Sequence, residues 1–549
     1  MSQVLQGIGV GTGSASGPVA RMAPPPALPA PRPVTDTEAD VSALRRALTS
    51  LVAELEHRAA RASDGPAADV LFAHVQMASD PALAEQAVEA IHRGTDPAHA
   101  LSATFGGFRA RLLAAGGYFA ERAPDLDDLC GRAVAHLLGL PMPGLPDPGH
   151  PYILVADDLA PADTAVLDPA SVLALVTVRG GPTSHTAILA KALGLPAVVG
   201  CSPAAALDDG RNVLVHDGTV HVDPSPETVA EADRRERRRR GLAATVQGPG
   251  RTADGHPVSL LVNLGAPHEL PRAAATEAEG VGLFRTEFLY LDRSEPPGPD
   301  EQTAAYRRVF DAFPGRRVVV RTLDAGADKP LPFSTATDEE NPALGVRGLR
   351  TAARDPGLLD TQLAAIADAA HGSDADVWVM APMVSLPSEA ADFAARARSH
   401  RLAVTGAMVE VPAAALHAER LAQVCDFLSI GTNDLAQYTF AADRTLGALA
   451  ELLDPWQPAL LDLVAVTAHA GSASGRPVGV CGEAASDPEL ALVLVGLGVR
   501  SLSMAPACLP EVRAVLAGHH LRQCQEMANA ARGAPDAATA RAEVRRRMN

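Results

Sequence analysis

Two groups of residues in this 549-residue sequence have types and spacings that support chemistry. The first is a single histidine. His185 stands in Gly180-Gly181-Pro182-Thr183-Ser184-His185-Thr186-Ala187-Ile188, after the apolar, β-branched run 172–178 and before Ala187–Leu193, which Gly194 and Pro196 close. The pattern predicts strand, Gly-Gly turn and helix, with His185 in the first helical turn. Free N–H groups and the helix dipole favour an anion there, and Thr183 or Ser184 can cap the helix. An imidazole so placed is either a nucleophile that carries a phosphoryl group or a histidine packed at a helix start.

The second group lies far downstream. Strand-like runs at 259–265, 280–288, 316–324, 377–384, 404–412, 427–434, 477–483 and 501–506 alternate with helical stretches. Eight such repeats predict a TIM barrel, whose active sites sit at the carboxyl ends of the strands. Polar residues gather at those ends: Asn263, Arg285, Arg321, Glu410, Asn433, Asp434 and Cys481. Arg285, Arg321, Arg347 and Arg444, with Lys329, predict a cationic mouth suited to a small anion bearing phosphate and carboxylate groups. Glu410 and Asp434 are then either ligands of a hard divalent cation, for which Mg²⁺ suits best, or ion-pair partners of the arginines. Cys481, flanked by glycines in Gly479-Val480-Cys481-Gly482, either exchanges a proton with substrate or is a small core residue.

These residues need several elements to hold them, and the length predicts several domains. Residues 4–21 are glycine-rich without the spacing of a dinucleotide-binding turn, and predict one or two strands. From about residue 35, Val41, Leu44, Leu48, Leu51 and Leu55 begin a series of amphipathic helices reaching residue 142. Their carboxylates, including Glu54, Asp69, Glu85, Glu89, Asp127 and Asp128, are either simply solvated or a face for a basic partner. Short strands resume at Tyr152, so the N-terminal strands and residues 143–225 form one α/β domain interrupted by a helical insertion. Residues 226–250 predict a charged, uncapped helical linker, and 251–549 the barrel.

Composition narrows the setting. A net charge of −18 argues against a nucleic-acid partner and suits a basic protein. No apolar run is long enough to span a membrane, and no signal segment opens the chain. Six scattered cysteines without a C-x-x-C pair fit a reducing cytoplasm. Of 47 basic residues only Lys191 and Lys329 are lysine, a coding bias that makes Lys329 slightly more notable.

GGPTSHTAILAKALGLPAVVG resembles the phosphohistidine signature of enzyme I of the phosphoenolpyruvate:sugar phosphotransferase system. GVGLFRTEFLYLDR, RTLDAGADKPLP, ENPALGVRGLR, GAMVEVPAA, SIGTNDLAQYTFAADR and VGVCGEAASD are similar to that family's motifs, in its order. LFAHVQMASDP and ERAPDLDDLCGRAV are similar to its insertion that binds the carrier protein HPr. The resemblance implies that His185 takes a phosphoryl group from phosphoenolpyruvate and passes it to HPr, releasing pyruvate, as the first step of sugar uptake. It implies that Arg285, Arg321 and Arg444 bind phosphoenolpyruvate with Asn433 and the Asp434 backbone, and that Lys329 and Arg347 match further motif positions. Glu410 and Asp434 match the Mg²⁺ ligands and Cys481 the proton donor. It also implies a homodimer through the barrel and a hinge in the linker. Pro182, where the family often has Arg, and Thr445-Leu446, where Gly-Asn is common, depart from the pattern. A pyruvate phosphate dikinase would need an ATP-binding domain for which no segment is available, and a regulatory protein without turnover would not need the complete set of reacting groups.

Overall fold

The computed structural model describes residues 3–548 other than 12, 62–65, 116–122, 141, 147, 160–166, 182–184, 292, 326–330, 335–338, 340 and 445. Lys329, Pro182 and Thr445 therefore lie outside the described residues. Two compact units meet in the sequence at Ala232 and Asp233. The fold class expected from the sequence, an α/β domain with helices inserted followed by a (β/α)₈ barrel, is the one observed.

In the first unit the N-terminal stretch makes three strands, not one or two: β1 (Val4–Gln6), β2 (Ile8–Val10) and β3 (Ser14–Arg21). Gly11 and Gly13 hold the left-handed backbone (φ 71° and 98°) that turns the chain between β2 and β3. Five more strands follow, β4 (Tyr152–Ala156), β5 (Val172–Thr177), β6 (Ala197–Val199), β7 (Asn212–His216) and β8 (Thr219–Val222). They complete an eight-stranded sheet of order β1-β8-β7-β3-β4-β5-β6-β2. Strands β3 to β6 run parallel, which explains why β4 reads as an uninterrupted apolar run: all five of its residues are buried.

Between β3 and β4 come α1 (Thr37–Arg61), α2 (Pro66–Ala78), α3 (Pro81–His92), α4 (Pro97–Ala115) and α5 (Ala123–Leu138). The leucine stripe of α1 packs with Leu83, Ile91, Leu101 and Leu129 in a core of its own. The acidic residues do not all face outward. Glu85, Glu89 and Asp127 are exposed, but Glu54 and Asp128 are half-buried and hold the buried Arg132 at 2.7 and 2.8 Å. A guanidinium away from water needs such partners, and the sequence pattern alone does not reveal the pairing.

Helix α6 (His185–Leu193) follows β5, and α7 (Pro226–Thr245) is one 20-residue helix spanning the boundary between the units. It is capped, contrary to the sequence reading: Thr228 N–H donates to Ser225 Oγ at 3.2 Å.

The second unit is a closed parallel barrel of β9 (Ser259–Leu264), β10 (Gly280–Phe284), β11 (Arg317–Arg321), β12 (Asp376–Ala381), β13 (Val404–Val409), β14 (Phe427–Ile430), β15 (Val478–Val480) and β16 (Ser501–Met504). Each strand pairs with the next, and β16 closes on β9 in the register Ser501–Ser259. Among the described residues no helix is long and apolar enough to cross a membrane.

The buried Arg132 links α1 and α5. Arg132→Ala should lower stability by about 2–4 kcal/mol, because it leaves Glu54 and Asp128 without their shared cation. Chemical denaturation followed by circular dichroism checks this, and an unchanged midpoint would contradict it.

Candidate active site

Every barrel strand delivers its last residue to the same rim, so the polar residues at the strand ends converge. Arg321 ends β11, and its Nη2 donates to Glu287 Oε1 at 2.8 Å. Its Nη1 lies 3.2 Å from Asp324 Oδ2, the atom that also accepts from Arg347 Nη2 at 3.0 Å. Arg347 Nη1 reaches toward Asp434 Oδ1 at 3.5 Å, as does Arg444 Nη1 at 3.6 Å. Arg321, Arg347 and Arg444 thus form one chain of alternating charge with Asp324 and Asp434. Arg285 stands at the end of β10, exposed, and its guanidinium makes no ion pair among the described residues. Among the described residues its charge is left open to an incoming anion.

Glu410 follows β13 and is 1 % exposed. Among the described residues it forms no ion pair with an arginine; its Oε1 accepts from Met383 N–H at 2.6 Å. Oxygens of Asp324, Glu410 and Asp434 lie within 4.8 Å of one another. Burial, followed by the charges of Asp324 and Asp434, pushes the Glu410 carboxyl up to about 8. Burial would also raise Asp324, but Arg321 and Arg347 outweigh it and hold that carboxyl below its usual range. One oxygen of Asp324 and one of Asp434 are buried without a hydrogen-bond donor. Orphaned, mutually close carboxylate oxygens are the donor set of a hard divalent cation, so the residues present fit such a group.

The backbone around these acids leaves no slack. A Cβ at Gly431 would lie 2.9 Å from Glu410 Oε2, and one at Gly482 only 1.9 Å from Thr432 Oγ1. Glycine lets the helix Thr432–Phe440, with Asp434 in its first turn, start directly against the mouth. At the helix end Ala441 turns left-handed, and Gln437 Oε1 accepts from Arg444 N–H at 3.1 Å, which ties down the return that presents Arg444. Asn433 Oδ1 accepts from Glu483 N–H at 3.2 Å, so it bridges the rims of β14 and β15.

Cys481 follows β15 inside the barrel, 3 % exposed and packed with Leu283, Val319, Met380 and Met408. Burial raises its thiol above the ordinary range, so the sulfur keeps its proton near neutral pH. Behind β10 and β11, buried Gln362 donates to Thr286 Oγ1 and Tyr306 OH and accepts from Leu323 N–H. Thr286 in turn donates to the Arg321 carbonyl at 3.0 Å, fixing the strand end that carries the guanidinium.

Of the histidine, the structure describes the backbone: His185 is the first residue of α6, four positions after Gly181, in the first unit.

Three family descriptions cover most of the chain: PEP-utilising enzyme, N-terminal (6–122), mobile domain (148–220) and PEP-binding domain (239–521). A phosphoenolpyruvate-protein phosphotransferase of Streptomyces coelicolor is 52 % identical over 549 residues, 98 % of each chain. The chain belongs to the phosphoenolpyruvate-protein phosphotransferase family. Relatives of that name from Haloferax volcanii and Bacillus subtilis are 41 % and 36 % identical, covering 86 % and 92 % of this chain and 86 % and 93 % of their own.

Set beside the sequence reading, the geometry of this phosphotransferase adds two acids. Asp324 and Glu287 stand in the family motifs just past β11 and β10, three and two residues after Arg321 and Arg285. Reading the mouth as simply cationic overlooks that these acids neutralise much of it. Asp434 forms the ion pairs of one alternative, with Arg347 and Arg444, whereas Glu410 forms no ion pair with an arginine among the described residues.

A divalent cation must displace the proton that Glu410 holds up to about pH 8. Cation affinity should therefore climb as pH rises toward that value and level off above it. Calorimetric titration with Mg²⁺ or Mn²⁺ in buffers of different ionisation heat should show proton release below pH 8. Glu410→Gln should weaken binding and abolish the release; release that persists in this variant would assign the proton elsewhere.

Proposed function

We propose that this phosphotransferase takes the phosphoryl group of phosphoenolpyruvate onto His185 and passes it to a histidine of the carrier HPr, releasing pyruvate as the first step of sugar uptake. The observation that carries this reading is the convergence, at one barrel mouth, of arginines with three mutually close buried carboxylates. It occurs in a chain related over nearly its full length to phosphoenolpyruvate-protein phosphotransferases.

Arg285, with its charge open, takes one anionic group of the substrate, and Arg321 and Arg444 take the others, with Asn433, the Asp434 backbone and Arg347 around them; Lys329 is assigned to the same substrate by its motif alone. Glu287 and Asp324 fix the side chains of Arg321 and Arg347 beforehand and Gln437 fixes the Arg444 backbone, which lowers the cost of ordering them when substrate arrives. Glu410 and Asp434 would hold Mg²⁺, with Asp324 near enough to share it. When bound, that ion would supply positive charge to offset the charge of the phosphoryl group and the departing enolate.

An imidazole nitrogen of His185 attacks phosphorus in line; the N–P bond forms as the bond from phosphorus to the enol oxygen breaks. The electron pair left on the enolate then takes the Cys481 Sγ proton at carbon, and the carbon–oxygen double bond of pyruvate forms. A thiol kept protonated by burial suits this step.

His185 belongs to the first unit and the mouth to the second, and one imidazole must serve the mouth and HPr in turn, so domain swivelling is part of the proposed cycle. An intact helix resists bending in its middle. The hinge therefore falls at the ends of α7, near Asp223 (φ 48°) and Gly248 (φ 86°), where the backbone already leaves the helical region. The exposed carboxylates Glu85, Glu89 and Asp127 form the face that receives HPr. A homodimer through the barrel, whose Leu386 and Leu416 are exposed, and a cytoplasmic location complete the proposal.

With labelled phosphoenolpyruvate, Mg²⁺ and no ATP, the protein should acquire an acid-labile, alkali-stable phosphate. His185→Ala should abolish labelling while the full chain binds phosphoenolpyruvate within about twofold of normal, and loss of that binding would sink the separation of roles. Replacing Glu85, Glu89 and Asp127 by lysine should slow transfer to HPr about tenfold or more at low salt and leave self-labelling intact. Equal damage to both steps would rule out a docking face.

A further inference from the structure

The inside of a parallel barrel is ordinarily filled by bulky branched side chains. Below Cys481 small residues interrupt that filling. Gly282, Ser429, Gly479 and Ser503 line, with Trp378 and Phe427, a small cavity of about 20 Å³, room for roughly one water. Ser429, in β14, is buried, and its Oγ donates to Cys481 Sγ at 3.3 Å. The thiol in turn points at the Ile430 carbonyl, 3.6 Å away. A second polar chain reaches the same residue: Ser503 Oγ donates to Asn263 Oδ1 at 2.6 Å, and Asn263 Nδ2 donates to the Cys481 carbonyl at 3.2 Å.

Stability does not account for a serine at position 429. A buried hydroxyl loses its water and gains here only a bond to sulfur, a weak acceptor. Alanine would fill nearly the same volume without that loss. The gain lies in the chemistry, because sulfur becomes a far better acceptor once its proton has left.

Resting on the reading of Cys481 as proton donor, we infer that Ser429 is the positioning residue of that thiol: its hydroxyl orients Sγ within the barrel and stabilises the thiolate that remains after protonation of the enolate carbon. The step balances as an S–H bond broken and a C–H bond formed, with the negative charge passing from enolate to sulfur. Ser429 keeps its own proton throughout. The other groups whose charge reaches this sulfur are Arg321, Glu410 and Arg285, from β11, β13 and β10. They stand at the rim, whereas Ser429 meets the sulfur from within the barrel wall.

The test is the wash-in of deuterium from D₂O into the methyl group of pyruvate, the reverse of the protonation. It is measured against pH with Mg²⁺ and the full-length protein. Ser429→Ala should keep its melting temperature within about 2 °C, slow exchange near neutral pH about tenfold and move the pH profile upward by about one unit, the size of a hydrogen bond to an ionised group. Ser429→Thr restores the hydroxyl, with the cavity beside it to receive the added methyl, and should return the profile toward normal. A Ser429→Ala profile matching wild type, with Cys481→Ala inactive in exchange, would overturn the role of Ser429 alone. Full exchange in Cys481→Ala would overturn the proton-donor reading itself and this inference with it.

Discussion

Three carboxylates held within 4.8 Å of one another and away from water repel strongly, and much of the barrel rim is arranged around that repulsion. Asp324 stays ionised because two guanidiniums flank it. Asp434 lies between Arg347, which it shares with Asp324, and Arg444. Glu410, with no arginine of its own, keeps a proton until something more positive arrives. The arrangement is under tension in charge, not in covalent geometry. Arg321, Arg347 and Arg444 each have an acid of the protein as partner, whereas Arg285 has none among the described residues.

The supporting residues make sense in that light. Gln362, Thr286 and Tyr306 form a buried hydrogen-bonded chain whose effect is to fix the ends of β10 and β11. Such a chain is costly if any member is unsatisfied, and it gives rigidity when all are. Gly431 and Gly482 contribute by leaving out atoms, which brings backbone against carboxylate and helix against strand at distances a side chain would forbid.

Much of this was legible in the sequence because parallel strands buried on both faces read as short apolar runs, and all eight barrel strands coincide with such runs. The strand ends named Arg321, Glu410, Asp434 and Cys481 directly. Asp324 and Glu287 were harder to see, although they lie in the same motifs, because which acid faces which arginine depends on the twist of a strand end and not on spacing. Glu54 and Asp128 misled for a related reason: on a helix a carboxylate that grips a neighbouring arginine has the same periodicity as one facing water. The division of residues 4–21 into three strands depends on positive-φ glycines, whose conformation spacing alone does not fix.

The barrel closes only when β16 pairs with β9, some 240 residues earlier in the chain. The mouth draws on Arg285 near the beginning of that span and Cys481 near its end. During synthesis, then, the ring stays open until β16 emerges. Asp324, Glu410 and Asp434 follow β11, β13 and β14, so the pairing of neighbouring strands gathers the acids first, and the last strand locks them into a closed wall.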